Sequence, residues 1–163
     1  MAAEKHTIQT PIGPIAIQAD GNAIYAVLFD RESVAVAEKE ASNPLIKKCA
    51  AQLKEYFAGT RKIFDLPLRQ EGSPFQQSVW QQLLKIEYGK TISYMELSKR
   101  IGDTKAIRAV GTTNGKNQIA IIVPCHRVIG SDGSLTGYAG ELWRKKWLLE
   151  HEGKFANGVQ TLF

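Results

Sequence analysis

The chain has 163 residues, enough for one domain or for two small lobes, and its 44% apolar and 23% charged residues are ordinary for a soluble globular protein. The N-terminal MAAEKHTIQT lacks the apolar stretch of a signal peptide, no apolar run approaches bilayer-spanning length, and two cysteines without C-x-x-C or H-E-x-x-H argue against a disulfide framework or a zinc site. These features set the expectation of a cytoplasmic protein with no metal and no membrane, and the net charge of +5 favours a polyanionic partner.

In chain order, HTIQTPIGPIAIQADGNAIYAVLFD reads as strands, with Pro11, Gly13 and Pro14 turning the chain first and Asp20-Gly21-Asn22 forming a hairpin turn. Residues 31–42, rich in Ala and Glu, fit more than one element. Asn43 then caps a helix with Pro44 at its first position; Leu45, Cys49, Leu53 and Phe57 form its apolar stripe and Gly59 stops it. Cys49 on that stripe is a core thiol. FDLPLRQEGSPF reads as a linker, which sets the boundary between lobe 1–70 and lobe 71–163.

Ser73 and Pro74 open a second helix carrying Phe75, Val79, Trp80, Leu83 and Leu84, ended by EYGK. Ser93 and Glu96 form the S-x-x-E pattern of a capping box, and that helix runs to about Ile101 before Gly102. Asp103 or Thr104 caps the next helix, KAIRAVGTTN. Two short helices joined through a glycine turn are a helix-turn-helix candidate. The stretch 97–130 carries Lys99, Arg100, Lys105, Arg108, Lys116 and Arg127 against the single acid Asp103, which fits a nucleic-acid face. QIAIIV reads as a buried strand. SDGS at 131–134 turns the chain. A last helix spans about 140–152 with Leu142, Trp143, Trp147, Leu148 and Leu149 inward and Gly153 after its end.

The chemistry concentrates at PCHR, where Cys125, His126 and Arg127 follow the apolar run. A thiol is a nucleophile as thiolate, so a base or cation must assist it. In an extended strand His126 faces away from Cys125, which leaves a bend or a bridging water to join them. The second imidazole nitrogen needs a partner, and Glu152 in LLEHEG is a candidate. These residues alone fit a buried inert thiol or a cysteine hydrolase, and the basic helix-turn-helix candidate also fits a DNA-binding module.

PCHRV at 124–128 resembles the active-site signature of the O6-alkylguanine-DNA alkyltransferases, or methylated-DNA–protein-cysteine methyltransferases. TPIGPIAI, YFAGTRKIFDLPL, GSPFQQSVWQQLLKIEYGKTISY, RAVGTTNGKN and IIVPCHRVIGSDGSLTGYAGELWRKKWLLEHE resemble family segments in family order. The resemblance implies an α+β chain: an RNase H-like sheet and helix lobe at 1–70, then a winged helix-turn-helix lobe at 71–163 carrying the active site. It implies direct, single-turnover transfer of the alkyl group from O6-alkylguanine, and from O4-alkylthymine, in double-stranded DNA to Cys125. That transfer follows base flipping through the minor groove, without a cofactor, in a monomer with no obligate protein partner.

Residue by residue, the resemblance makes Cys125 the acceptor, His126 a base acting through a water, Glu152 its partner and Asn117 the brace of the active-site turn. Tyr94, Val128, Tyr138, Ala139 and Gly140 would hold the flipped base. Arg108 would fill the gap in the stack, with Ala109, Gly111, Tyr94, Met95 and Ser131 also at the DNA. The family pattern often has prolines where this chain has Gln118 and Ala120, and some members have serine in place of Ala139.

Overall fold

The computed structural model describes residues 2–30 and 40–157. They form two compact units that divide between Gln70 and Glu71. The α+β reading holds: a small sheet with a helix in the first unit, helices in the second.

The first unit is an antiparallel sheet, β1 (Glu4–Ile8), β2 (Ile15–Ala19) and β3 (Ile24–Phe29), in the order β1-β2-β3. β2 lies in the middle, so Ile15, Ala16, Ile17 and Ala19 are all buried and the polar alternation of an edge strand is lost. Asp20 turns β2 into β3 by accepting from the Asn22 and Ala23 amides at 2.8 and 3.0 Å. Helix α1 (Pro44–Phe57) starts where Asn43 Oδ1 accepts from the Leu45 and Ile46 amides, and packs on β2 and β3. Its buried stripe is Ile46, Cys49, Leu53 and Tyr56, whereas Leu45 and Phe57 lie at its half-buried edges. A strict i+4 row advances about 40° per step around a helix of 3.6 residues per turn, so only its middle stays on the core. The expected linker is partly structure: Leu68 bridges Ile24, and the Gln52 side chain bonds both the amide and the carbonyl of Asp65. The ambiguous segment 31–42 lies outside the described residues up to position 39.

In the second unit, α2 (Pro74–Leu83) opens with a full capping box, Ser73 with Gln76. The two-residue strand β4 (Ile92–Ser93) leads into α3 (Tyr94–Ile101). Ser93 caps the Glu96 amide, as the S-x-x-E spacing predicts, while the Glu96 carboxylate pairs with Arg100 instead. Gly102 ends α3 at φ +91°, a conformation that favours glycine. A 3-10 turn (Thr104–Ala106) capped by Asp103 then delivers α4 (Ile107–Gly115), completing the helix-turn-helix.

Residues 118–123 are not the expected strand. They form a turn, buried from Ile119 on, that leads into a 3-10 turn, Cys125–Arg127, and the two-residue strand β5 (Val128–Ile129), parallel to β4. A β-branched apolar run suits a strand only if a ladder takes its polar backbone groups. Here the turn pairs its own backbone, with the Val123 amide on the Ile119 carbonyl at 3.0 Å and the Ile122 amide on the Ala120 carbonyl at 2.8 Å, and the Asn117 side chain adds the rest: its amide nitrogen donates to the carbonyls of Ile119 and Val123 at 3.2 and 2.8 Å, and its oxygen accepts from the Ile119 amide at 3.1 Å. The turn forces Ile121 to φ +71°, an outlier for a β-branched residue that costs about 1–3 kcal/mol. Gln118 and Ala120 enter this turn without proline.

The last helix, α5 (Leu142–Asn157), runs through Gly153 rather than stopping before it. Its N-terminal Leu142 and Trp143 are half exposed, against expectation, and its buried residues include Arg144, Lys145, Leu148, His151 and Glu152. None of the described helices is long and apolar enough to cross a membrane.

Candidate active site

The active-site turn puts Cys125 at 6% exposure, in a shell of polar groups. Asn117 Nδ2 donates to its sulfur at 3.3 Å, so the residue that shapes the turn also touches the thiol. Asn114, on the last turn of α4, donates to the Cys125 carbonyl at 3.3 Å and ties the helix-turn-helix to the site. Burial raises the thiol above its ordinary range; the Asn117 hydrogen bond and the Lys145 ammonium act against that.

His126 is fully buried, and its Nε2 lies 2.7 Å from Glu152 Oε2. Burial lowers its pKa, so the ring is neutral, and the carboxylate fixes the proton on Nε2. Nδ1 then carries the lone pair, and it has no hydrogen-bond partner among the described residues. Glu152 comes from the third turn of α5, not from a helix end, and is 1% exposed. Burial opposes its ionisation, but the contacts with His126 and Arg127 outweigh this and hold its carboxyl well below the usual carboxylate range.

Arg127 is the first correction to the charge reading. It was counted in the basic stretch, yet it is buried and donates from Nε and Nη2 to the two Glu152 oxygens at 2.8 and 3.1 Å. Its charge pairs with Glu152 inside the protein and not at the surface.

Lys145 is the residue that the sequence reading missed. It is 0% exposed, and its Nζ donates to the carbonyls of Val128, Thr136 and Gly137 at 2.6, 2.9 and 3.3 Å. It thereby joins β5 to the loop before α5, and burial lowers its pKa to about 8. The only signal was spacing: 145, 148, 149 and 152 fall on one helical face, but a lysine in RKKW reads as solvated.

The Tyr94 hydroxyl, at the start of α3, donates to the Thr136 carbonyl at 3.0 Å, and the Tyr94 ring lies 5.8 Å from Lys145 Nζ. Gly111 of α4 faces that ring: a Cβ there would lie 3.9 Å from it. Tyr138 is half-buried as a residue, and burial raises its phenol well above the ordinary range, with the Cys125 charge adding to the shift. Val128 and Gly140 are buried, while Ala139 is exposed beside them. Thus Asn117, Cys125, His126, Glu152, Tyr94 and Val128 meet through bonds or through Lys145. Arg108 and Ala109 stand exposed on α4, Met95 is half-buried on α3, and Ser131 is exposed in the 131–134 turn. Among the described residues no group of three or more His, Cys, Asp or Glu could hold a metal ion.

Two family models cover the chain. Residues 4–70 match the ribonuclease-like domain of 6-O-methylguanine DNA methyltransferase, and residues 74–154 match its DNA-binding domain. The methylated-DNA–protein-cysteine methyltransferase of Methanosarcina acetivorans is 47% identical over 89% of this chain and 95% of its own length. The O6-methylguanine methyltransferase of Mycobacterium tuberculosis superposes with a TM-score of 0.85 at 41% identity, over 97% of both chains. The structure of Mycobacterium tuberculosis OGT in complex with DNA superposes at 0.83 with 44% identity, over 93% of both chains. A buried thiol in a polar shell, a neutral imidazole on a carboxylate and a helix-turn-helix bonded to the backbone of the cysteine are therefore the work of a chain that belongs to the 6-O-methylguanine DNA methyltransferase family.

Proposed function

We propose that this protein repairs DNA by moving the alkyl group of O6-alkylguanine onto Cys125, once per molecule. Family membership carries the reaction class; the Cys125–Asn117 and His126–Glu152 contacts carry the assignment of roles. The reaction balances simply. The thiol proton passes through a water to His126 Nδ1, and the sulfur attacks the alkyl carbon. A new S–C bond forms as the C–O6 bond breaks, and its electron pair leaves on guanine, which takes up a proton with Tyr94 as donor. The products are guanine and an S-alkyl cysteine. No group in the site can cleave a thioether, so the protein is consumed.

The DNA partner is double-stranded in this reading, and the base must leave the stack first, at a cost of a few kcal/mol. Arg108, exposed on α4, fills the hole and meets phosphate charge, with Ala109, Gly111, Met95 and Ser131 along the same contact. Val128, Tyr138, Ala139 and Gly140 line the base pocket. O4-alkylthymine is a second substrate. The protein acts as a monomer in the cytoplasm and needs no cofactor. Lobe 1–70 is the RNase H-like part, and lobe 71–163 binds DNA and accepts the alkyl group.

The test is intact-protein mass after mixing with excess duplex oligonucleotide carrying O6-methylguanine, beside a Cys125→Ser control. One added methyl, saturating at one per molecule and absent in the control, is the expected result. An unchanged mass with lesion-selective binding would instead make the protein a recognition module.

A further inference from the structure

We infer that Arg127 is a positioning residue for the alkyl transfer: its guanidinium fork sets the orientation in which Glu152 receives His126. The inference rests on the proposed reaction, and its observation is separate. Arg127 spans both carboxylate oxygens from Nε and Nη2, at 2.8 and 3.1 Å, while Nη1 donates to the Ile86 carbonyl at 2.6 Å. The guanidinium also lies 5.7 Å from the centre of the Tyr88 ring. The fork is thus pinned from behind by the segment that follows α2. Two parallel bonds from a planar group fix the plane of a carboxylate, which a point charge does not do.

The consequence reaches the thiol. Glu152 Oε2 serves both Arg127 Nη2 and His126 Nε2, so the carboxylate plane decides where the imidazole stands. With Nε2 held there, Nδ1 is the nitrogen left to take the Cys125 proton. A carboxylate free to rotate would let His126 turn, swap tautomer, or take the proton of a protonated Glu152. Residues that orient a metal-binding side chain typically contribute about 10–100-fold to its function, and the same scale is expected where the oriented group is a catalytic base.

Five proteins make the experiment: wild type, Arg127→Met, Glu152→Gln, the double variant, and Arg127→Lys as the conservative replacement. The double variant removes both charges together, so it leaves no buried ion unpaired. Single-turnover methyl transfer is followed at increasing concentrations of duplex carrying O6-methylguanine, with thermal melts in parallel. For Arg127→Met the saturating rate should fall about 10–100-fold, while the half-saturating DNA concentration and its salt dependence stay as in wild type. Arg127→Lys should recover part of that rate. In the Glu152→Gln background the same Arg127→Met change should cost less than about twofold, because residues acting as one unit are not additive.

Equal fold losses in both backgrounds would overturn the inference, as would a folded Arg127→Met protein with the wild-type saturating rate. Weaker DNA binding with a shallower salt slope and an unchanged saturating rate would return Arg127 to the DNA face and overturn it too. If wild type itself moves no methyl, the proposed reaction fails and this inference falls with it; if wild type does and Arg127→Met equals it, only this inference fails.

Discussion

The two cysteines of this chain are both buried, and they differ in what surrounds them. Cys49 sits on the apolar stripe of α1, where burial pushes the thiol up to about 12. Cys125 is buried as well, but an amide donor and a buried ammonium oppose the same effect. Burial alone makes a thiol inert; burial among groups that favour the thiolate makes it a nucleophile that water does not quench. The active-site turn is costly for the same reason. It holds Ile121 in a left-handed conformation, and around it Lys145, Arg127, His126 and Glu152 are buried, whereas α1 is an ordinary helix capped by Asn43 with Pro44 at its first position.

The comparison is broken most severely by exchanging the thiols. Cys125→Ser should abolish methyl acceptance, while Cys49→Ser should leave the transfer rate within about twofold, since its contribution is packing. Next comes Asn117→Ala, which strips the turn of its donor and acceptor. It leaves the Ile119 amide without its acceptor, while the Ile119 and Val123 carbonyls keep backbone donors; one orphaned buried group costs about 1–3 kcal/mol, so a denaturant titration should show a loss of about that size together with slower transfer. Lys145→Met removes the ammonium near the sulfur. That ammonium favours the thiolate, so the single-turnover rate at neutral pH should fall and should recover as pH rises.

The mildest test is titration. Buried neutral His126 and ionised Glu152 both hold fewer protons folded than unfolded. Stability should therefore fall as pH drops below 6.5 and again below 4.5, the ordinary values of the two groups. Lys145 works in another window: its charged form is disfavoured in the fold, so its contribution improves as pH rises from about 8 toward 10.5. Thermal melts against pH, with Glu152→Gln as control, check the acid side.

Much of this was legible in the residues because it is local. Asn43, Ser73 and Ser93 cap helices by bonds to amides two or three residues away, and Gly102 ends α3 by its own backbone freedom. The family segments carried Cys125, His126, Asn117 and Glu152 to one place. What was not legible depends on partners far along the chain. The run 118–123 reads as strand until the turn's own amides and the Asn117 side chain are seen to satisfy it. Lys145 reads as solvated until the carbonyls of Val128, Thr136 and Gly137 converge on it. Arg127 reads as a DNA-facing charge until Glu152, 25 residues later, claims it. Leu142 and Trp143 read as core by hydropathy, yet α5 turns its buried cations and Glu152 inward instead.

One measurement decides between the two thiols directly. After reaction with duplex DNA carrying O6-methylguanine, the protein is digested and each cysteine peptide is weighed and sequenced by mass. The account predicts a methyl group on the Cys125 peptide and none on the Cys49 peptide. A methyl on Cys49, or a repaired oligonucleotide with both cysteine peptides unmodified, would contradict it.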